Sequence, residues 1–295
     1  MALSPVIYDD APLRERVRKA LTDDFKHEAI RKAQDTIVGN AERLARENPI
    51  WEELRLEAAY IRNHVLQNLD YYIKEFATNA QAAGAKVYFA PTAEDAVEKA
   101  LDIFEEVGAK SCVKSKSMVT EEVGLNDFLE EHGIHAIETD CAENILQTAG
   151  DKPSHIVVPA LHFDRKHIRD LYRDKKGYTG SEDPEEITHF LRENLRKEFL
   201  EAKIGVTGCN FGVAETGSCT LVTNEGNGRM ATTVPNTQIV FLGAERLVPN
   251  LKSLDTLLTL LVPSAVGSKI TSSFSINTGT ANADEADGPH SVHII

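Results

Sequence analysis

Residues 86–114 read KVYFAPTAEDAVEKALDIFEEVGAKSCVK. KVYFA is short and apolar, as a buried strand is. Thr92 follows as a helix N-cap, and Asp95, three residues on, completes a variant of the capping box. Val97, Leu101, Phe104 and Val107 give that helix one apolar face, and Gly108 ends it. SCVK then starts a second strand. A strand, a helix with one apolar face and another strand predict a parallel pair joined by a right-handed crossover.

The alternation continues downstream. SKSMVTEEVGLNDFLEEHG (115–133) reads as a loop and a helix, HAIET (135–139) as a strand and DCAENILQTAG (140–150) as a helix. HIVVPA (155–160) reads as a strand and DRKHIRDLYRDKK (164–176) as a helix. KGYTGSEDP (176–184) reads as a polar surface loop. Pro184 then opens the helix EEITHFLRENLRKEFLEA, at a position where proline is tolerated. From Ile204 the chain turns β-rich, with IGVTG, CTLVT, ATTVP and QIVFLG. A short helix, SLDTLLTLLV (253–262), precedes ITSSFSINTG. Residues 279–289 read as an exposed acidic loop, and HSVHII (290–295) as a buried strand. The pattern predicts an α/β fold with an open, mostly parallel sheet flanked by helices.

Upstream, apolar residues from Leu13 to Leu44 recur at roughly helical spacing until Asn48-Pro49. Trp51, Leu54, Ala58, Ile61, Val65, Leu69, Ile73, Phe76 and Ala80 predict a single helix over 51–83, about 50 Å long at ~1.5 Å per residue. Such an arm would lie along the body or reach a partner. Arg55, Arg62, His64 and Lys74 lie off its apolar stripe, as on a solvated face. The expected organisation is a helical extension over 1–84 and an α/β domain over 85–295.

The chain has 295 residues, a formal charge of −14 and 42% apolar residues, enough for a normal core. The acidic balance disfavours nucleic acid or an anionic membrane as the main partner. No apolar run approaches the ~20 residues of a membrane span. The first residues lack a basic start followed by an apolar stretch, so no signal peptide is expected and the location is read as cytoplasmic. Cys112, Cys141, Cys209 and Cys219 form no C-x-x-C pair and are read as free thiols. His290 and His293 are not spaced as a metal site. Asp284, Glu285 and Asp287 could bind a cation but read better as a solvated cluster, and no metal is expected in this chain.

Two stretches have the composition of a binding site. Lys114, Ser115, Lys116 and Ser117 follow a strand and precede a helix, where open α/β sheets bind ligands. Two lysines, two hydroxyls and a helix start suit a carboxylate or phosphate, while a solvated loop with Ser117 as N-cap explains them as well. The second stretch, residues 204–229, is IGVTGCNFGVAETGSCTLVTNEGNGR. Its glycines, Gly217 and Gly226 among them, let the backbone turn or approach a ligand. Asn210, Thr216, Ser218, Asn224, Glu225 and Asn227 can hydrogen-bond. Glu215 suits a nucleophile, a general base or a simple acceptor, and Arg229 could grip a carboxylate with two bonds. A hairpin with tight turns is the plainer reading, since Asn227-Gly228 alone marks one. No P-loop, nucleophile elbow or dinucleotide fingerprint is present.

Several segments together carry a family resemblance. KSKSMVTEE (114–122), ETD (138–140), PSHIVVPA (153–160) and GVAETGSCTLVTNEGNGR (212–229) resemble the LUD-domain family of lactate-utilisation proteins. RNHVLQNLDYYIKEFATNAQAAGAKVYFA (62–90) resembles its B-type members in particular. The resemblance implies a fold like NagB, ribose-5-phosphate isomerase (RpiA) and the CoA transferases. It implies a part in oxidising L-lactate to pyruvate within a multi-subunit iron–sulfur oxidoreductase, with other lactate-utilisation subunits as partners and a possible homo-oligomer. B-type members continue into a ferredoxin-like segment whose cysteines hold two [4Fe–4S] centres. This chain has no such cysteines, so it is expected to be a truncated or LUD-only form that carries no electrons and is not active alone. The alternatives are a stand-alone transferase or isomerase acting on a small anion through Glu215, and a non-catalytic assembly subunit.

Overall fold

The computed structural model describes residues 11–22, 24–151, 153, 158–271 and 273–295. Four helices come first: α1 (Leu13–Ala20), α2 (Asp24–Glu47), α3 (Trp51–Gln67) and α4 (Leu69–Ala82). The helix expected over 51–83 is broken at Asn68, whose φ of −127° and ψ of 35° leave helical geometry. Apolar spacing runs on across the break, so sequence periodicity shows one helix where there are two. Both are part of the body. α3 buries Ala58, Ile61 and Val65, and α4 buries Tyr72, Phe76 and Ala80. Two residues of the presumed solvated face are engaged: Arg62 donates to the Glu245 carbonyl at 2.6 Å, and His64 bonds Tyr72 Oη at 3.1 Å.

The β/α part follows the reading closely. β1 (Lys86–Val87), α5 (Ala93–Val107), β2 (Ser111–Lys114), α6 (Met118–Glu122), α7 (Leu125–Glu131), β3 (His135–Glu138) and α8 (Cys141–Ala149) alternate as expected. Thr92 and Asp95 form the full capping box, and Gly108 ends α5 in the left-handed conformation. The strand expected at 155–160 lies largely outside the described residues, and 158–160 form a bend and a turn. α9 (Arg165–Lys176) and α10 (Pro184–Glu201) follow, with Pro184 at the start of α10 under the Asp183 cap. The loop between them is not wholly exposed, because Tyr178 is buried against Phe190.

The remaining elements are β4 (Ile204–Gly208), β5 (Phe211–Val213), β6 (Ser218–Thr223), α11 (Asn227–Thr233), β7 (Thr237–Phe241), β8 (Leu247–Val248), α12 (Leu251–Val266), β9 (Ser273–Asn277) and β10 (Ser291–Ile294). Asn227-Gly228 therefore opens a helix and not a hairpin, and ATTVP contributes to α11 and not to a strand. The hydroxyls of Thr232 and Thr233 both donate to the Arg229 carbonyl at 2.9 Å, a local bond that suits β-branched residues to the helix end. α12 runs past Pro263, whose missing N–H falls near its end at Gly267.

Two sheets result. The larger has six strands in the order β1-β10-β7-β4-β2-β3, all parallel, with helices on both faces. α5 and α7 pack on the face carrying Ile204, Val206 and Ile239. α10 and α11 cover Val113, and α4 covers Val240, Val292 and Ile294. HSVHII is thus an inner strand, buried on both sides as parallel strands usually are. The smaller sheet, β8-β5-β6-β9, packs on α3 and α12. Among the described residues no helix is long and apolar enough to cross a membrane.

Candidate functional site

All strands of a parallel sheet present their carboxyl ends on one rim. At that rim Lys114 ends β2 and pairs in register with Glu138 of β3 on one side and Val206 of β4 on the other. Lys114 Nζ donates to Glu138 Oε1 at 2.6 Å, and Asn126 Nδ2 donates to the same oxygen at 2.7 Å. Both charges are sealed from solvent, with side-chain exposures of 0% and 3%. Lys114 therefore spends its charge inside the protein and faces no ligand. Removing one partner of such a pair costs about 3–5 kcal/mol.

Beyond Lys114 the chain turns outward. Ser115, Lys116 and Ser117 line a cleft of about 410 Å³. Ser117 caps α6 by accepting from Thr120 N at 3.3 Å. Gly208, at the end of β4, lies so close that a Cβ there would stand 2.5 Å from Ser117 Oγ. Asn210, Asn224, Glu225 and Asn227 line the same cleft, together with Thr223, Asp140 and Arg246. Ser115 Oγ and Thr223 Oγ1 are buried without a hydrogen-bond partner in the described structure, at a cost of about 1–3 kcal/mol each.

Several wall residues are fixed from behind. Asn210 Oδ1 accepts from Val222 N at 2.8 Å, and Asn227 Nδ2 donates to Thr139 Oγ1 at 3.2 Å. Glu225 Oε2 accepts from Cys141 N at 3.0 Å, at the start of α8, where Asp140 is the N-cap. Burial raises the Glu225 carboxyl above its ordinary range, and the neighbouring Asp140 adds to that. The positive charge comes from Lys116, 4.0 Å from Glu143 Oε1, and from Arg246, held at 3.0 Å by Glu245. The cleft thus joins two cations, two carboxylates, hydroxyls and amides.

The other half of the expected site lies elsewhere. β5 leads away from the rim, and the chain turns at Glu215–Gly217 before β6 returns. Glu215 is exposed there, its N–H bonded to the Pro249 carbonyl at 3.0 Å. Asn79 Nδ2 of α4 holds the Ala214 and Glu215 carbonyls at 2.8 and 3.1 Å. Thr216 bonds Ser218 at 2.7 Å, and Ser218 bonds Thr278 at 2.6 Å. Gly217, with φ of +65°, passes so close to α4 that a Cβ would stand 2.1 Å from Ala80 N. Arg229 is exposed on α11, and neither it nor Gly226 lines the cleft. Glu215 and Gly217 therefore hold the hairpin turn against α4, while Thr216 and Ser218 tie it to Thr278. Arg246 and Asp140 escaped the sequence reading, yet both follow strands that end at the rim, the rule that singled out Lys116.

A second cleft, of about 530 Å³, opens on the other side of α6, lined by Glu121, Asn126, Glu138 and Glu143 among others. Burial, then the charges of Glu121 and Glu138, push the Glu143 carboxyl up to about 7. Cys112 and Cys219 are buried and Cys141 and Cys209 half-buried, all four as free thiols. Among the described residues no three imidazole, thiol or carboxylate side chains converge to hold a metal. His293 instead bonds Ser291 and Tyr88 inside the sheet.

The sequence pattern of the LUD domain matches residues 73–295. The chain is 48% identical over 287 residues to lactate utilization protein B of Shouchella clausii (strain KSM-K16), covering 97% of this chain and 60% of that protein. It is 46% identical over 282 residues to the uncharacterized electron transport protein YkgF of Escherichia coli (strain K12), covering 96% of this chain and 59% of that protein. The crystal structure of a DUF162 family protein from Deinococcus radiodurans aligns with 70% of this chain and 98% of its own, at 14% identity and a TM-score of 0.26. The chain spans about 60% of the length of the curated relatives it matches. With the match extending from α4 through the last strand, the chain belongs to the LUD-domain family.

Proposed function

We propose that this chain is the LUD part of a lactate-utilisation protein, and that the cleft beside Ser115 binds a small hydroxycarboxylate such as L-lactate. The relatives named lactate utilization protein B motivate the substrate. The chemistry of the cleft fits it. Lys116 and Arg246 suit a carboxylate, the unpartnered hydroxyls of Ser115 and Thr223 can donate to it, and Asp140 or Glu225 can accept from a hydroxyl. The observation that carries the reading is this pair of buried, unpartnered hydroxyls beside two cations at the strand ends. Oxidation of lactate to pyruvate releases two electrons, and the YkgF name associates a relative with electron transport. A [4Fe–4S] centre is held by four thiolates, and among the described residues no three thiol, imidazole or carboxylate groups converge. The proposal therefore places electron transfer in other parts of a multi-subunit complex.

Calorimetric titration of L-lactate and pyruvate, into this chain and into the complete protein with its partner subunits, tests the reading. Saturable binding abolished by Lys116→Met with Arg246→Met is expected. Absence of binding in every form would overturn it.

A second reading, assembly without a substrate pocket, draws on the N-terminal helices. Leu13, Val17, Leu21 and Phe25 are exposed on and between α1 and α2. Replacing these four exposed residues by serine would test it by loss of complex formation without loss of folding. Glu215, exposed and outside the cleft, gives a transferase reading no comparable support.

A further inference from the structure

The second cleft has a chemistry of its own. Its floor is Glu138, whose Oε1 is occupied by Lys114 Nζ and Asn126 Nδ2. Glu138 Oε2 is buried and has no partner in the described structure, and the same holds for Asn126 Oδ1. Both groups line the cleft, so its floor offers two unused acceptors. Its walls add the carboxylates of Glu121, Asp127, Glu130, which pairs with His135, and Glu143, which stands 4.0 Å from Lys116 of the neighbouring cleft; no lysine or arginine among the described residues lines it. Lys114 sits behind the floor, sealed from the cleft by burial.

The ligand that completes this arrangement donates hydrogen bonds and carries positive charge. Burial raises the carboxyls of both Glu121 and Glu143, and the charge of Glu138 adds to both, although Lys114 and Lys116 nearby act the other way. A chelated metal fits poorly, since no three carboxylate, imidazole or thiol groups converge among the described residues. The cleft volume of about 530 Å³ suits a small organic molecule.

We propose that the cleft bounded by α6, α7 and α8 binds a small organic cation through an ammonium group that donates to Glu138 Oε2 and Asn126 Oδ1, beside the carboxylates of Glu121 and Glu143. It is a different cleft from the one proposed for hydroxycarboxylates, and it takes ligands of the opposite charge.

The test is a calorimetric titration of the protein with putrescine at low salt, with tetramethylammonium chloride and magnesium chloride in parallel. Putrescine is expected to bind saturably, and tetramethylammonium, which has no N–H, is expected not to bind. Glu121→Gln and Glu143→Gln should each weaken putrescine by about tenfold, the scale of one charge-assisted hydrogen bond. The paired variant Lys114→Met/Glu138→Gln removes both buried charges together, and should lose putrescine while circular dichroism shows a folded protein. Absence of saturable putrescine binding overturns the proposal. So does equal binding of tetramethylammonium, tighter binding of magnesium, or indifference to Glu121→Gln and Glu143→Gln. Titration of L-lactate into Glu121→Gln, whose side chain does not line the hydroxycarboxylate cleft, should be unchanged, which separates failure here from failure of that reading.

Discussion

The two ends of the β5–β6 hairpin carry similar residues and do different work. At the rim, Asn210, Thr223, Asn224 and Glu225 face a cleft. At the turn, Glu215, Thr216, Gly217 and Ser218 are fastened to α4 and to Thr278. Three residues of β5, about 10 Å of strand, separate the two settings. Glycine and small polar residues mark places where the backbone needs room or bonds. Whether the room is filled by another helix or left for a ligand depends on which end of the sheet the strand reaches. The same division separates Lys114, which is buried in an ion pair, from Lys116 two residues later, which reaches the cleft.

The largest effect should come from that lysine pair. Lys114→Met leaves Glu138 buried and uncompensated, and should lower stability by about 3–5 kcal/mol in urea unfolding. Lys116→Met should cost less in the same assay, since Lys116 keeps 22% of its side chain in solvent where Lys114 keeps none, and its charge stands 4.0 Å from Glu143. Equal losses would erase the distinction. Next is the hairpin turn. Gly217→Ala meets both a positive φ and the α4 backbone, so a loss on the order of 3 kcal/mol is expected. Ligand affinity measured on the remaining folded protein should be unaffected. A variant as stable as the parent would show that the turn is not a clamp.

Much of this arrangement was legible beforehand. The 86–114 unit was readable because its capping box, helical face and terminal glycine agree with one another. Ser117 as a cap and Lys116 at a strand end followed from the same rule of parallel sheets. α11 was not legible, because Thr232 and Thr233 favour strand until their hydroxyls find the Arg229 carbonyl. The break at Asn68 was hidden by apolar spacing that continues through it. The separation of Glu215 from the cleft was hidden too, since a hairpin doubles back and neighbours in sequence then part in space.

Smaller effects sharpen the same contrast. Arg246→Met should weaken L-lactate about tenfold by calorimetry, as one lost charge-assisted bond would, while Glu215→Gln and Arg229→Gln should leave it unchanged. A tenfold loss in Glu215→Gln would move the site to the turn. A further effect concerns pH. The Glu143 carboxyl rises from its ordinary 4.5 to about 7 in the folded protein. Between those values the folded state holds more protons than the unfolded state, so this group makes stability fall as pH rises from about 5 to about 7. Urea midpoints should decline over that range, and Glu143→Gln should flatten the decline. An equally steep decline in that variant would assign it to other groups.

Amide chemical shifts during titration of the protein with L-lactate test the central claim most directly. The account predicts saturable shifts at Ser115, Lys116, Thr223 and Asn227, with Glu215, Thr216 and Gly217 unmoved. Shifts confined to the 215–217 turn, or none at saturating L-lactate, would contradict it.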